Sequence, residues 1–319
     1  MRKTMIAGLK LLCPPISNQE AQWSIDDQDF RAYMKASGLY FITRRRELFF
    51  SNWHYDKATA VVSVDVTLEA HTARLSFELS KLVENENGLH FFAGPKVFRL
   101  SRDKEGTDVV HSCTPDVLLW QAYRGELAVA GFTLPSPFLT FDLLYVGISK
   151  KEDAFTRLVA NAHETRIKIL TDLFPLREGA RVSDEVHFMF FEVSEISSDV
   201  FADDDNVEAM VQRMLNPSGP SREQLIADVE KAFVSVLKTK YNTIKYAHYP
   251  KGVHGLGSLN LDAFAYVIDE DITFTVGDAS MRGAFGALPN ATTTPRGPVD
   301  AIVVDGGKVT LARQEEQSS

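Results

Sequence analysis

A short apolar run that halts at a glycine sets the first constraint on this chain. Leu143, Leu144, Tyr145 and Val146 have the make-up of a buried strand, and Gly147 ends them with a tight exit. A loop of small and charged residues follows, and from about Asp153 an amphipathic segment takes over. In it Phe155, Leu158, Val159, Ala162 and Ile169 recur at helical spacing and mark a core face, while Arg157, Asn161 and Glu164 share another. Residues 143–170 are therefore expected to form strand, turn and helix, with Arg157 near the end of the strand that bears Tyr145. A phenol and a guanidinium brought together there suit a phosphate. The guanidinium offers a planar fork to its oxygens, and a phenol can give or take a proton where its pKa is perturbed.

Most of the sequence before that stretch is strand-like. Val62, Val64, Val66 and Leu68 alternate with Ser63, Asp65 and Thr67, and Leu75, Phe77 and Leu79 alternate in the same way, the period of half-buried strands. Further strands are predicted at GLYFIT from Gly38, RELFFSNW from Arg46, GLHFF from Gly88, KVFRL from Lys96 and ELAVAGF from Glu126, parted by turn-forming clusters at 84–88 and 103–106. This predicts a β-rich N-terminal domain over 1–125, in barrel or sandwich form. Prolines within 134–137 mark a junction, and a second domain is expected over 126–246, in which VHFMFFEV from Val186 reads as a buried strand. AFAYVIDEDITFTV from Ala263 and AIVVDGGKVTLA from Ala301, the latter with a tight turn at Asp305-Gly306-Gly307, give a β-rich C-terminal extension over 247–319.

With 319 residues, 45% hydrophobic and 24% charged, the chain can bury a sizeable core. A formal net charge of -9 excludes indiscriminate coating of nucleic acid, which accumulated Lys and Arg drive. The charge is uneven, however. Glu192, Glu195, Asp199, Asp203, Asp204, Asp205 and Glu208 make an acidic stretch, whereas Lys231, Lys238, Lys240, Lys245 and Lys251 cluster, and a local basic patch can focus nucleic acid on one site. The run Arg44, Arg45, Arg46 beside Tyr40, Phe41, Phe49, Phe50 and Trp53 leaves two readings open, phosphate contact with stacking or a solvated strand edge beside core aromatics. Cys13 and Cys113 have no CxxC partner and are expected to be buried or inert thiols rather than a disulfide framework or zinc site. At the start, MRKTMIAGLKLLCPP is interrupted by Lys10, Pro14 and Pro15 too early for a signal peptide or membrane span, so a cytoplasmic protein without membrane contact is expected.

A second helix begins at a capping box, Ser221 with Gln224. Leu225, Ile226, Val229, Ala232, Phe233, Val236 and Leu237 form its apolar stripe, and Glu230 falls on the margin. A carboxylate there either reaches out to solvent or stands at the edge of a cleft, where it could hold a divalent cation.

Together the two stretches resemble the GIY-YIG nuclease superfamily. Tyr145-Val146-Gly147 and the following helix are similar to the second strand and first helix of that family; VEKAFVSVLKTKYN, with Glu230 near its start and Tyr241 and Asn242 at its end, is similar to its metal-binding helix. The family's first motif, Gly-Ile-Tyr, is not evident upstream of Tyr145; Gly131 with Phe132, in VAGF, is the candidate for its place, and Phe lacks the hydroxyl. The resemblance implies an α+β fold, a small antiparallel sheet flanked by helices, that cleaves phosphodiesters with one Mg²⁺ or Mn²⁺. It implies that Glu230 ligates the metal, that Arg157 steadies the scissile phosphate, and that Tyr145 activates or orients the attacking water. It gives His163 a part in proton transfer, against the plainer reading of an exposed helix histidine. Asn242 takes a structural or substrate-positioning part, and Lys150 and Lys151 either contact the nucleic-acid backbone or are simply solvated.

The expectation is thus a metal-dependent endonuclease on nucleic acid, DNA rather than RNA, whose sheet domains choose the substrate or a protein partner. Restriction, mobile-element or antiphage roles suit such an arrangement. The missing first-motif tyrosine favours a second expectation, a catalytically silent nucleic-acid-binding or assembly module. A third is an unrelated globular protein in which both phrases are ordinary strand and helix.

Overall fold

The structure is a computed structural model that describes residues 2–83, 88–129, 136–161, 163–200, 219–251, 255–259, 261–288 and 294–315. Its strands are β1 (Arg2–Leu11), β2 (Ile16–Ser17), β3 (Leu39–Arg44), β4 (Phe49–Asp56), β5 (Val61–Leu68), β6 (His71–Glu78), β7 (His90–Ala93), β8 (Phe98–Ser101), β9 (Val109–Cys113), β10 (Thr140–Ile148), β11 (Val186–Val200), β12 (Ala263–Ile268), β13 (Thr273–Val276), β14 (Ala279–Arg282), β15 (Ala301–Asp305) and β16 (Lys308–Ala312). The helices are α1 (Asn18–Trp23), α2 (Gln28–Met34), α3 (Pro115–Arg124), α4 (Glu164–Asp172), α5 (Val182–Glu185) and α6 (Arg222–Leu237). None of them is long and apolar enough to cross a membrane.

Among the described residues ten strands form one mixed sheet in the order β14-β13-β10-β3-β11-β1-β12-β15-β16, with β2 also on β11. Neighbours run antiparallel except β1 with β12 and β10 with β13. This corrects the expected small antiparallel sheet flanked by helices. The cause lies at the chain start. A run too short for a membrane span is long enough for a strand, and in β1 Met5, Ala7 and Leu9 point to one buried face between β11 and β12. Strands from the beginning and the end of the chain thus share one sheet with β10 and β11.

Alternation gives the sheet two apolar faces. Leu39 and Phe41 of β3 lie with Met189 and Phe191 of β11 under α6, which contributes Leu225, Val229 and Phe233. Tyr40 and Ile42 lie with Phe188 and Phe190 on the opposite face, covered by Met34, Phe155, Leu158 and Ile169. In β10 a register shift between Leu143 and Tyr145 breaks the alternation. Leu143 and Val146 keep to the α6 face, while Leu144 and Tyr145 both join the Tyr40 face.

Between β3 and β10 the chain makes an excursion that holds two local meanders, β4-β5-β6 and β7-β8-β9, and α3. Val64, Leu75, Phe77, Phe98, Leu118 and Phe138 belong to its own core. Each fully buried Phe there contributes roughly 1.5–3 kcal/mol relative to exposure.

Two local expectations change. The helix expected from Asp153 divides into a π-turn, Thr156–Ala160, and α4. Asn161 is extended and its amide bonds Glu152 at 3.0 Å, while the His163 ring caps α4 by accepting the Arg166 amide at 3.2 Å. Such side chains offer the backbone partners outside the helix ladder and so interrupt it. The strand expected from Glu126 is absent over 126–129, which follow the left-handed Gly125 that ends α3. Ala162, the Gly131-Phe132 pair, Leu134 and Pro135 of the junction, the 84–87 turn, and Asp203, Asp204, Asp205 and Glu208 lie outside the described residues.

Candidate functional site

The ladder between β3 and β10 sets Gly147 opposite Tyr40 and Val146 opposite Phe41. Gly38-Leu39-Tyr40 and Tyr145-Val146-Gly147 therefore meet at one end of two neighbouring antiparallel strands, with the Ser149 amide on the Gly38 carbonyl at 2.9 Å. The two phenol rings lie 6.1 Å apart, over Gly147. A β-carbon at Gly147 would overlap Tyr40 Cζ and Oη and sit 2.6 Å from Tyr145 Cε1, so the close approach requires glycine.

His163 completes the cluster, its ring 5.8 Å from each phenol ring. Its Nε2 is 2.9 Å from Tyr40 Oη, and its Nδ1 accepts the Arg166 backbone N–H at 3.2 Å. An Nδ1 that accepts carries no proton, so the ring proton sits on Nε2 and is donated to Tyr40. The Tyr40 hydroxyl proton is left to point toward Tyr145. Burial, then Arg157 and Arg166, push the His163 pKa down to about 4, which keeps the ring neutral near pH 7. His163 is thus a positioning residue for Tyr40, neither a charged proton donor nor an exposed helix histidine.

Arg157 is exposed on the π-turn, and its charge acts on both phenols. Burial, then Tyr145, raise the Tyr40 pKa far above the ordinary phenol value against the pull of Arg157. Burial, then the Glu230 charge, raise that of Tyr145. Both hydroxyls keep their protons at neutral pH and act as donors.

Glu230 reaches this group from α6 and accepts the Tyr246 hydroxyl at 3.3 Å. Burial raises its pKa, opposed by the Tyr246 hydrogen bond and by Lys150, Lys231 and Arg157. Lys150 and Lys151 are exposed at the exit of β10. Glu230 thus acts on Tyr145 and Tyr246 among several cations, while the Glu152 carboxylate acts on Arg157 from the other end of the π-turn loop. No group of three His, Cys, Asp or Glu side chains able to hold a metal occurs among the described residues. Glu230 fits Mg²⁺ or Mn²⁺ only in the manner of one carboxylate sharing the ion with substrate phosphate and water.

Asn242 explains why α6 stands where it does. Its Oδ1 accepts the Val146 amide at 2.9 Å and the Thr239 hydroxyl at 2.7 Å, and its Nδ2 donates to the Val146 carbonyl at 2.8 Å. With the Tyr241 amide on the Leu144 carbonyl at 3.1 Å, the segment after α6 pairs with the edge of β10 just past the bulge. Asn242 is only 6% exposed, so it positions the strand of Tyr145 and makes no phosphate contact.

No family model, curated protein or solved structure matches this chain. His163 lies against Tyr145, Arg157 and Glu230 act on Tyr145 through their charge, and Lys150 and Lys151 are exposed at the exit of β10. Tyr40 and Tyr246 are the functional residues that sequence reasoning missed. Tyr40 ends the stretch Gly38-Leu39-Tyr40, but 123 residues part it from His163, and no local spacing joins the two. The arginine run takes neither of its two readings. Arg44 pairs with Glu185 at 3.1 Å, buried Arg45 grips Asp116 at 2.7 and 2.9 Å with its guanidinium over Phe141, and Arg46 pairs with Glu69. Cys13 and Cys113 are buried free thiols, and burial pushes the Cys13 thiol up to about 12.

Proposed function

We propose that this chain is a phosphodiester-cleaving endonuclease of the GIY-YIG kind, acting on nucleic acid with Tyr40, Tyr145, Arg157 and Glu230 around the reacting phosphate. The observation that carries the reading is the facing of Gly38-Leu39-Tyr40 and Tyr145-Val146-Gly147 across one ladder, with the Arg157 charge acting on both phenols and the Glu230 charge on Tyr145. Gly-Leu-Tyr differs from the family's first motif only in Leu for Ile. It supplies the hydroxyl whose loss was the reason to expect a silent module.

In this reading Arg157 takes the phosphate oxygens in its planar fork and offsets their charge as it grows. Tyr40, held by His163, gives its hydroxyl proton to Tyr145 and so keeps that phenol in line; Tyr145 donates its own to a non-bridging phosphate oxygen, and the Glu230 carboxylate is placed to take the proton that the attacking water loses. Glu230 would hold Mg²⁺ or Mn²⁺ jointly with the phosphate; such an ion supplies charge neutralisation and a more acidic water. Lys150, Lys151 and Lys231 draw the polyanion to one end of an otherwise acidic molecule. A cytoplasmic setting, and a protein partner or substrate selector in the excursion between β3 and β10, go with the same reading.

Incubation with labelled DNA and RNA, single- and double-stranded, in Mg²⁺, in Mn²⁺ and in chelator tests it. Cleavage that needs the metal and falls at least about 100-fold in Arg157→Ala, Glu230→Ala and Tyr40→Phe is expected. Unaltered cleavage by a folded Arg157→Ala, Glu230→Ala double variant would sink the assignment, and binding without cutting would return the silent module.

A further inference from the structure

We infer that the open groove beside Glu230 is a base-binding subsite, which takes a nucleobase of a single-stranded segment next to the reacting phosphate. The groove has a volume of about 540 Å³, the size of a small-ligand pocket, and lies between the end of α6, the 245–249 loop and β16. Val236 and Leu311 give it apolar walls, Tyr246 and Tyr249 line it with half-buried rings, and Lys238 and Lys245 supply positive charge. A flat aromatic ligand carrying a phosphate matches all three features, because bases stack on phenol rings whatever their sequence and lysines meet the backbone.

Both rings are held in place by their hydroxyls. Tyr249 donates to buried Asp228 at 2.6 Å and Tyr246 to Glu230 at 3.3 Å. The Lys245 ammonium donates to the Thr239 and Lys240 carbonyls, which fixes its charge at the groove. The backbone adds an independent sign. Among the described residues five non-glycines have left-handed backbone, and Asn52, Ala60 and Glu69 lie in the β4-β5-β6 meander. Lys238, with φ 56°, is the ordinary left-handed cap of α6, which leaves Tyr246, with φ 47°, as the left-handed residue of this groove that no helix end explains. For a bulky aromatic that conformation is costly, and such strain is kept where it aims a side chain at a ligand. Tyr246 joins the two places: its ring walls the groove while its hydroxyl bonds the carboxylate of the proposed reacting centre.

The choice of nucleic acid as occupant rests on the nuclease reading, and a binding experiment in chelator separates the two. The probe is a short single-stranded DNA carrying 2-aminopurine, with the same strand made abasic at that position as control. Quenching of the base by wild-type protein, with affinity about tenfold or more weaker for the abasic strand, is expected. Tyr246→Leu should abolish the quench and Tyr246→Phe should retain it. Lys238→Gly, which relaxes the left-handed position and so folds at least as well, should weaken binding several-fold and flatten its salt dependence. An unchanged quench in Tyr246→Leu, unchanged affinity in Lys238→Gly, or displacement of the probe by an acidic peptide as readily as by unlabelled strand would overturn the groove and leave the nuclease reading of the wild-type protein standing. No binding of any strand would overturn it too, and loss of cleavage alone would strike only the nuclease reading.

Discussion

Gly147 stands opposite Tyr40 across the β3–β10 ladder, and the missing β-carbon is what admits the Tyr40 phenol beside Tyr145. Gly147→Ala would drive a methyl group into both rings while leaving the backbone pairing possible. Cleavage is expected to drop about 100-fold, the usual result of a misplacement of about 1 Å at a reacting centre, with a stability loss of about 1–3 kcal/mol from overpacking. Turnover measured beside circular dichroism checks it; wild-type turnover would mean that the phenols do not need this spacing.

Asn242 stands in for a missing strand at the edge of β10. Asn242→Ala leaves the buried Val146 amide and carbonyl and the Thr239 hydroxyl without their partner. A loss of about 1–3 kcal/mol is expected in urea denaturation. A shift under about 0.5 kcal/mol would show that water or the Tyr241 segment replaces the side chain.

Asp228, 1% exposed on α6, receives the Tyr249 and Tyr266 hydroxyls at 2.6 Å each and the Leu256 amide at 2.9 Å. Three donors around one buried carboxylate tie α6 to β12 and to the loop before it. Tyr266→Phe should cost about 1.5–3 kcal/mol, as a hydrogen bond to a charged group. Asp228→Ala, which strands all three donors, should cost more than Tyr266→Phe; the reverse order in thermal or urea melts would argue that the carboxylate is not what holds the three donors together.

Acid should weaken the fold through two histidines. Burial first, then Arg157 and Arg166 for His163 and Arg45 for His187, push both pKa values from an ordinary 6.5 down to about 4. The unfolded chain binds those protons near pH 6.5 and the native chain only near 4, so their contribution is full above 6.5 and lost as pH falls to 4. Glu270 opposes this. Burial outweighs the pull of Arg124 and raises its carboxyl from 4.5 to about 7, so its contribution is full below 4.5 and lost as pH rises through 7. Melting temperatures between pH 4 and 7 are therefore expected to fall more steeply with acid in Glu270→Gln than in the wild type. Parallel curves would show that Glu270 titrates normally.

What could be read in the sequence was local. The alternation of β5 and β6, the capping box of α6 and the paired glycines at the β15–β16 turn each draw on neighbours a few residues away, and each forms as expected. β1 was not legible as a strand, because its partners are β11 and β12 and nothing near Met5 reports them. The 153–170 helix failed where Asn161 and His163 found side-chain bonds that periodicity does not weigh. Tyr40 escaped for a related reason. A motif split by an independently packed excursion has no spacing to betray it, and only the strand register reunites its halves.

That excursion also orders events as the chain is made. At about 5–20 residues per second, β3 emerges on the order of ten seconds before β10 and longer still before β11, its two neighbours in the sheet. Meanwhile β4 to β9 close on themselves through local hairpins and draw together the chain ends that will become β3 and β10. Until then the apolar strand Leu39–Arg44 has both edges bare, so chains stalled after residue 139 are expected to be cut by protease there and to gain protection once β11 is out. The two tyrosines thus meet only after the insert between them has been made, and a ribosome-bound chain carries a finished insert before it carries an assembled site.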